Sequence, residues 1–218
     1  MVPLSLSSNL SRSTKCGRTI RKMATSTPTT AEQICNRYGL TYEEFAALPT
    51  VERALYRSAY AADVLRVVEG AAYDAATGEF TPGPPYNNVG PDVCRYLESV
   101  GADPGEPWCA ADGSTMLLDS GVPRSALPEL AASCHGWKDF AQDNGAWKTV
   151  PQRGFAGIII ESPTAGHFTL ITDVDGDSVH TLEGNTNDDG SREGYMHTRK
   201  VRPIGEFAGF VDLPLLFN

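Results

Sequence analysis

Gly101-Ala102-Asp103-Pro104-Gly105-Glu106-Pro107-Trp108-Cys109-Ala110-Ala111 is the stretch on which the reading of this chain turns. A loop rich in proline and glycine breaks the chain just before a cysteine. Behind that cysteine the apolar pattern predicts a helix over 109–119. The first N–H groups of a helix have no partner within it, and they carry the positive end of the helix dipole. A thiol placed there is stabilised as a thiolate. Ala110 and Ala111 are small, so a bound backbone can come close. The bland alternative is that Cys109 is a small buried hydrophobe, the usual fate of a free cysteine. The loop, the helix start and the small neighbours together favour a nucleophile. Nothing comparable displaces helix-face packing as the reading of Cys35 and Cys94.

A thiol nucleophile needs a base, and the chain has four histidines: His135, His167, His180 and His197. His167 follows Gly166 and opens the run His167-Phe168-Thr169-Leu170-Ile171-Thr172, which reads as a strand with its first residue at a cleft. His180 lies in Val179-His180-Thr181-Leu182-Glu183-Gly184-Asn185. Strand side chains alternate faces, so Glu183 and Asn185 share a face with Thr181 while His180 points the other way. A base needs an acceptor on its second ring nitrogen to fix its orientation, and Glu183 and Asn185 are the candidates. The competing reading of 184–190 is a turn, and both hold if the strand ends at the site. Cys134-His135 is not taken as a dyad, because adjacent residues on a helix do not face each other. Cys134 and His135 are read as structural or surface, and His180 and His197 as polar surface residues.

The totals set bounds on this. A chain of 218 residues with 41% hydrophobic and 21% charged residues can bury a core. A net charge of -9 argues against nucleic acid or an anionic membrane as the main partner. No stretch approaches the roughly 20 apolar residues of a membrane span. Residues 1–22 hold Arg12, Lys15, Arg18, Arg21 and Lys22, so all 27 acidic residues follow them. The positive charges come after a weak Leu/Ser stretch, not before an apolar core, which is the wrong order for a secretory signal. Residues 1–30 are read as a disordered basic leader, with Met23 as an alternative start. The five cysteines form no CxxC and no framework, so free thiols are expected.

Periodicity divides the rest. Helices are expected over 31–38 with Gly39 as C-cap, from the capping box Thr41-Tyr42-Glu43-Glu44 to Pro49, and from a Thr50 cap to about Glu69. The run Pro82-Gly83-Pro84-Pro85 marks a linker over 81–88. Helices are then expected over 91–100, 109–119, 127–133 and about 137–142. Strands follow at about 157–161, 167–174, 178–183, 195–201 and 208–212. Helices first and a mostly antiparallel sheet after predict an α+β fold.

Taken in order, these residues resemble a known family. Asn88-Val89-Gly90-Pro91-Asp92-Val93, Tyr96-Leu97 and Gly105-Glu106-Pro107-Trp108-Cys109-Ala110 are similar to the opening of CHAP domains. Those are cysteine- and histidine-dependent amidohydrolases/peptidases that cut bacterial peptidoglycan. Gly166-His167 matches their histidine strand, and Glu183-Gly184-Asn185-Thr186-Asn187 with Ser191-Arg192-Glu193-Gly194 matches their acid strand and the loop after it. Gly209-Phe210-Val211-Asp212 resembles the closing strand. There are departures: Ala156-Gly157-Ile158 stands where Gly-Asp is common, and Phe168-Thr169-Leu170 where a Val-Gly-Ile type of run is usual.

The resemblance implies a papain-like (NlpC-like) α+β fold with N-terminal helices on the sheet. It implies a CHAP-like catalytic domain over 84–218, with 31–80 as a helical extension. Cys109 would be nucleophile, His167 base, and Glu183 and Asn185 the orienting pair. The implied activity is that of an N-acetylmuramoyl-L-alanine amidase or endopeptidase, acting without a cofactor on peptidoglycan. Some members hold calcium near the cysteine, but Asp103, Glu106 and Asp112 do not match that spacing, so no metal is carried over. Ala31 to Leu48 is also similar to the helix pair of a LysM glycan-binding module. The flanking strands of that module are not evident, so packing on the catalytic domain is expected instead. A monomeric phage-type lysin, made in the cytoplasm and delivered to the wall, is the overall expectation. The alternatives are a cysteine amidohydrolase on a non-wall substrate and a non-catalytic wall-binding or tail-structural protein.

Overall fold

The structure is a computed structural model and describes residues 29–65, 73–74, 79–80, 88, 90–187 and 194–218. The expected leader through residue 28, the end of the third helix over 66–69, linker residues 81–87 and the loop over 191–193 lie outside the described residues.

Local signals place the first helices. Thr30 caps α1 (Ala31–Tyr38) through a reciprocal bond with Gln33, and Gly39 ends it at φ 69. Thr41 and Glu44 form the capping box that opens α2 (Tyr42–Ala47). Helix α3 (Thr50–Tyr60) has Pro49 at its N-cap, so Thr50 is its first residue and not the expected cap. A π-helical turn, Ala61–Leu65, continues it. The short strands β1 (Tyr73–Asp74) and β2 (Glu79–Phe80) pair as a hairpin.

Helix α4 (Pro91–Val100) begins with proline in its first turn and closes on Gly101 at φ 79. Helix α5 (Cys109–Asp119) follows, as expected. The helix expected over 127–133 is absent. A short 3-10 turn, Arg124–Ala126, stands before it, and the Arg124 guanidinium bonds the carbonyls of Pro128 and Glu129, wrapping that segment as turns. Helix α6 (Cys134–Asp143) starts earlier than its apolar pattern indicated, because Ser133 caps it through the Gly136 N–H.

Strands β3 (Trp147–Lys148), β4 (Ala156–Ser162), β5 (Ala165–Asp175), β6 (Ser178–Thr186), β7 (Met196–Pro203) and β8 (Gly209–Val211) form one sheet in the order β3-β8-β4-β5-β6-β7. Every neighbouring pair in it is antiparallel. The chain ends in α7 (Leu213–Phe217). The fold is therefore α+β, with a six-stranded antiparallel sheet.

One main core lies between α3, α4, α5, α6 and the sheet. It gathers Trp108, Leu117, Trp137, Ile158, Phe168, Leu170 and Leu182. Phe155, Ile171, Val179 and Phe210 pack in a smaller cluster with Phe207. The cysteine helix comes so close to the sheet that two glycines are required. A Cβ on Gly113 would stand 2.2 Å from the Phe168 ring, and one on Gly184 would stand 2.5 Å from Asp112 Oδ2 and 2.6 Å from the Trp108 ring. These contacts lock the height of α5 above β5 and β6.

Helix α3 packs into the main core, while Ile34, Cys35 and Phe45 of α1 and α2 gather with Tyr60 in a cluster of their own. Val51, Ala54 and Leu55 of α3 are buried in the main core. Arg53 bonds the carbonyl of Ser120, and Arg153 pairs with Glu52.

Candidate active site

Cys109 is the first residue of α5, and its N-cap, Trp108, makes no side-chain capping bond. The leading N–H groups of α5 thus have no side-chain cap, and their partial charge faces the thiol. Trp108 is fully buried and stacks on Tyr96 with ring centroids 5.9 Å apart, anchoring the helix start.

The thiol of Cys109 is held well below its ordinary pKa. The largest cause is a hydrogen bond from Cys134, whose Sγ lies 3.9 Å from Cys109 Sγ. Burial opposes the shift, while His167 and the Phe168 backbone N–H add to it. The Cys134 thiol is pushed up, first by donating to Cys109 and then by burial. For His167, burial alone would lower the pKa, but hydrogen bonds with Cys109 and Glu183 outweigh it and hold the imidazole up at about 9. A thiolate beside an imidazolium is the protonation state these shifts favour at neutral pH.

Glu183 is fully buried, and its Oε2 lies 2.9 Å from His167 Nε2. This leaves the other ring nitrogen of His167 for Cys109. Burial would raise the Glu183 pKa, but Arg202 and His167 hold it down at about 2. The carboxylate is saturated with donors: Thr181 Oγ1 at 2.5 Å, and Arg202 through Nε at 2.6 Å and Nη2 at 2.8 Å. Buried charges of this kind persist only when paired and hydrogen-bonded.

Asn185 departs from simple alternation. Strand β6 bulges between Glu183 and Thr186, and Asn185 takes φ 54, a left-handed conformation that asparagine tolerates better than most residues. It lines the same cavity as Cys109 and His167, while the bond to His167 is made by Glu183. The cavity has a volume of about 800 Å³ and is also walled by Cys134, His135, Glu161 and Glu206.

The structure brings together Cys109, His167 and Glu183, and sets Asn185 at the cavity wall. Two participants escaped the sequence reading. Arg202 reaches Glu183 from β7, where only the β6–β7 register reveals it. That Cys134 cannot face its neighbour His135 has no bearing on its meeting Cys109, whose sulfur lies 3.9 Å away. Two other expectations are corrected. His197 is fully buried, with Nε2 3.0 Å from Ser58 Oγ and Nδ1 2.8 Å from Asp112 Oδ2, so it is not a surface residue. The Asp112 approach has the distance of an ion pair without the angle of a hydrogen bond. Cys94 is disulfide-bonded, whereas Cys35, Cys109 and Cys134 are free.

Among the described residues, no three His, Cys, Asp or Glu side chains gather to hold a metal ion, and no helix is long and apolar enough to cross a membrane. The chain matches no protein-family model, no curated protein and no solved structure.

Proposed function

We propose that this chain is a papain-like thiol hydrolase of the CHAP type. On this reading it cleaves an amide bond in the stem peptide or cross-bridge of peptidoglycan. The observation that carries the chemistry is a cysteine at an uncapped helix start, coupled to a histidine that shares its cavity and whose far nitrogen is held by a glutamate buried behind it. The wall substrate rests on the resemblance of 84–213 to CHAP domains.

The Cys109 thiolate attacks the amide carbonyl. Negative charge develops on the carbonyl oxygen beside the α5 N-terminus, where the Cys109 backbone N–H donates to it. Protonated His167 gives its proton to the leaving amine, and the acyl group remains on sulfur. His167, now neutral, takes a proton from water, which attacks the thioester and releases the acid. Glu183 stays ionised throughout, orienting the imidazole and stabilising its charged form. Asn185 lies where it can bond the substrate backbone along the cavity wall.

Clearing of purified cell walls by the wild type and by Cys109→Ala tests the reading. Clearing by the wild type alone is expected, and equal clearing by both would falsify it. Mass spectrometry of the released fragments then separates amidase from endopeptidase. If neither protein clears walls, a non-wall amide substrate or a wall-binding role takes its place.

A further inference from the structure

Cys134 makes and breaks no bond in the steps above, yet it shares the cavity wall with Cys109. The two sulfurs lie 3.9 Å apart, in van der Waals contact. Each cysteine is the first residue of its helix, Cys109 of α5 and Cys134 of α6. Cys134 is backed by strand β5: a Cβ on Gly166 would stand only 3.1 Å from Cys134 Cβ, so nothing larger fits between that thiol and the residue before His167. A disulfide requires sulfurs about 2.05 Å apart, so turning the two side chains must close roughly 1.9 Å from the present contact.

We propose that Cys134 is a resolving thiol, and that Cys109 and Cys134 form a reversible disulfide in response to peroxide, switching the site off. In the first step the Cys109 thiolate attacks one oxygen of the peroxide. The S–O bond forms, the O–O bond breaks and hydroxide leaves, giving a sulfenic acid on Cys109. In the second step the Cys134 sulfur attacks the Cys109 sulfur. The S–S bond forms, the S–O bond breaks, and the departing hydroxide takes the Cys134 proton to leave as water. Cysteine loses two electrons in all and the peroxide gains them. The disulfide removes the nucleophile from His167 and also shields it from further, irreversible oxidation. A dithiol reductant reverses it.

This inference concerns the site assigned above, but its test does not need the hydrolytic reading. Cys109 and Cys134 fall on separate tryptic peptides, 96–124 and 125–138, each with a single cysteine. The full chain is reduced, exposed to hydrogen peroxide, blocked with an alkylating reagent and digested without reductant. The expected product is the two peptides joined, lighter than their sum by two hydrogen atoms and separated by dithiothreitol. In Cys134→Ser, which keeps a hydroxyl donor beside Cys109, the 96–124 peptide is expected to advance to the sulfinic acid instead. Wild-type wall clearing, scaled to each protein's own untreated rate, is expected to vanish on oxidation and return with dithiothreitol, with no return for the serine variant. Sulfinic acid accumulating equally in both proteins, or a wild type with no joined peptide, overturns the inference. Failure of the reduced protein to clear walls while the joined peptide still forms counts against the wall-hydrolase reading alone.

Discussion

Arg202 grips the buried carboxylate of Glu183 at two points, Nε to Oε1 at 2.6 Å and Nη2 to Oε2 at 2.8 Å. The same carboxylate holds His167, so an arginine on the edge strand β7 supports that imidazole through one intermediary. Arg202→Met leaves Glu183 buried and short of its main counter-charge. Removing one partner of a buried pair costs about 3 kcal/mol, which a denaturant titration reads directly. Arg202→Lys restores the charge but not the planar fork, so only partial recovery of kcat is expected. Full recovery by lysine would show that charge alone is what Arg202 supplies.

The pH dependence has two signs. Glu183 is held at about 2 against an ordinary 4.5, so its contribution to stability is full above the ordinary value and is lost as pH falls from there toward 2. His167 is held at about 9 against an ordinary 6.5, so its contribution is full below 6.5 and is lost as pH rises through 9. A kcat/KM profile that declines above about 9 is expected, since the imidazolium there loses the proton it would give to the leaving amine while the thiolate persists. Glu183→Gln removes the anion that favours imidazolium and is expected to move that alkaline limb to lower pH. An unmoved limb would mean that Glu183 does not tune the base.

Gly184 lies where β6 crosses the cysteine helix. Gly184→Ala places a methyl group 2.5 Å from Asp112 Oδ2 and 2.6 Å from the Trp108 ring. Overpacking of this kind costs about 1–3 kcal/mol, and here it also displaces the start of α5. A lower melting temperature together with slower alkylation of Cys109 by iodoacetamide is expected. A fall in stability with an unchanged alkylation rate would confine the effect to packing.

Leu55 distinguishes an appended module from an integral one. It is 2% exposed and packs in the main core alongside Trp108 and Leu117. Leu55→Ala is expected to cost about 2–5 kcal/mol and to lower a single transition seen by both tryptophan fluorescence and Cys109 reactivity. A separate early transition that spares the site would show that the N-terminal helices unfold by themselves.

Much of this was legible in local chemistry. The capping boxes at Thr30 and Thr41, Gly39 and Gly101 closing helices, and the proline opening α4 depend only on residues a few positions apart. So does the start of α5 at Cys109. The alternation that put Thr181 and Glu183 on one face is a property of any extended strand, and their side chains do bond. It failed at Asn185, because a bulge spends one extra residue and cannot be read from periodicity. The helix expected over 127–133 failed because Arg124 ties the carbonyls of that segment into turns.

The order of amino acids alone puts the Cys109 thiol at a helix start and sets the sequence of cysteine, histidine and acid along the chain. Those are matters of spacing and backbone preference. What surrounds them depends on contacts between distant parts of the chain. Arg202 reaches Glu183 through strand register, Cys134 reaches Cys109 because two helix starts converge, and His197 is buried against Asp112 and Ser58. Each of these pairs is far apart in the chain, and no local preference brings such residues together. Sheet pairing and close packing through Gly113 and Gly184 do.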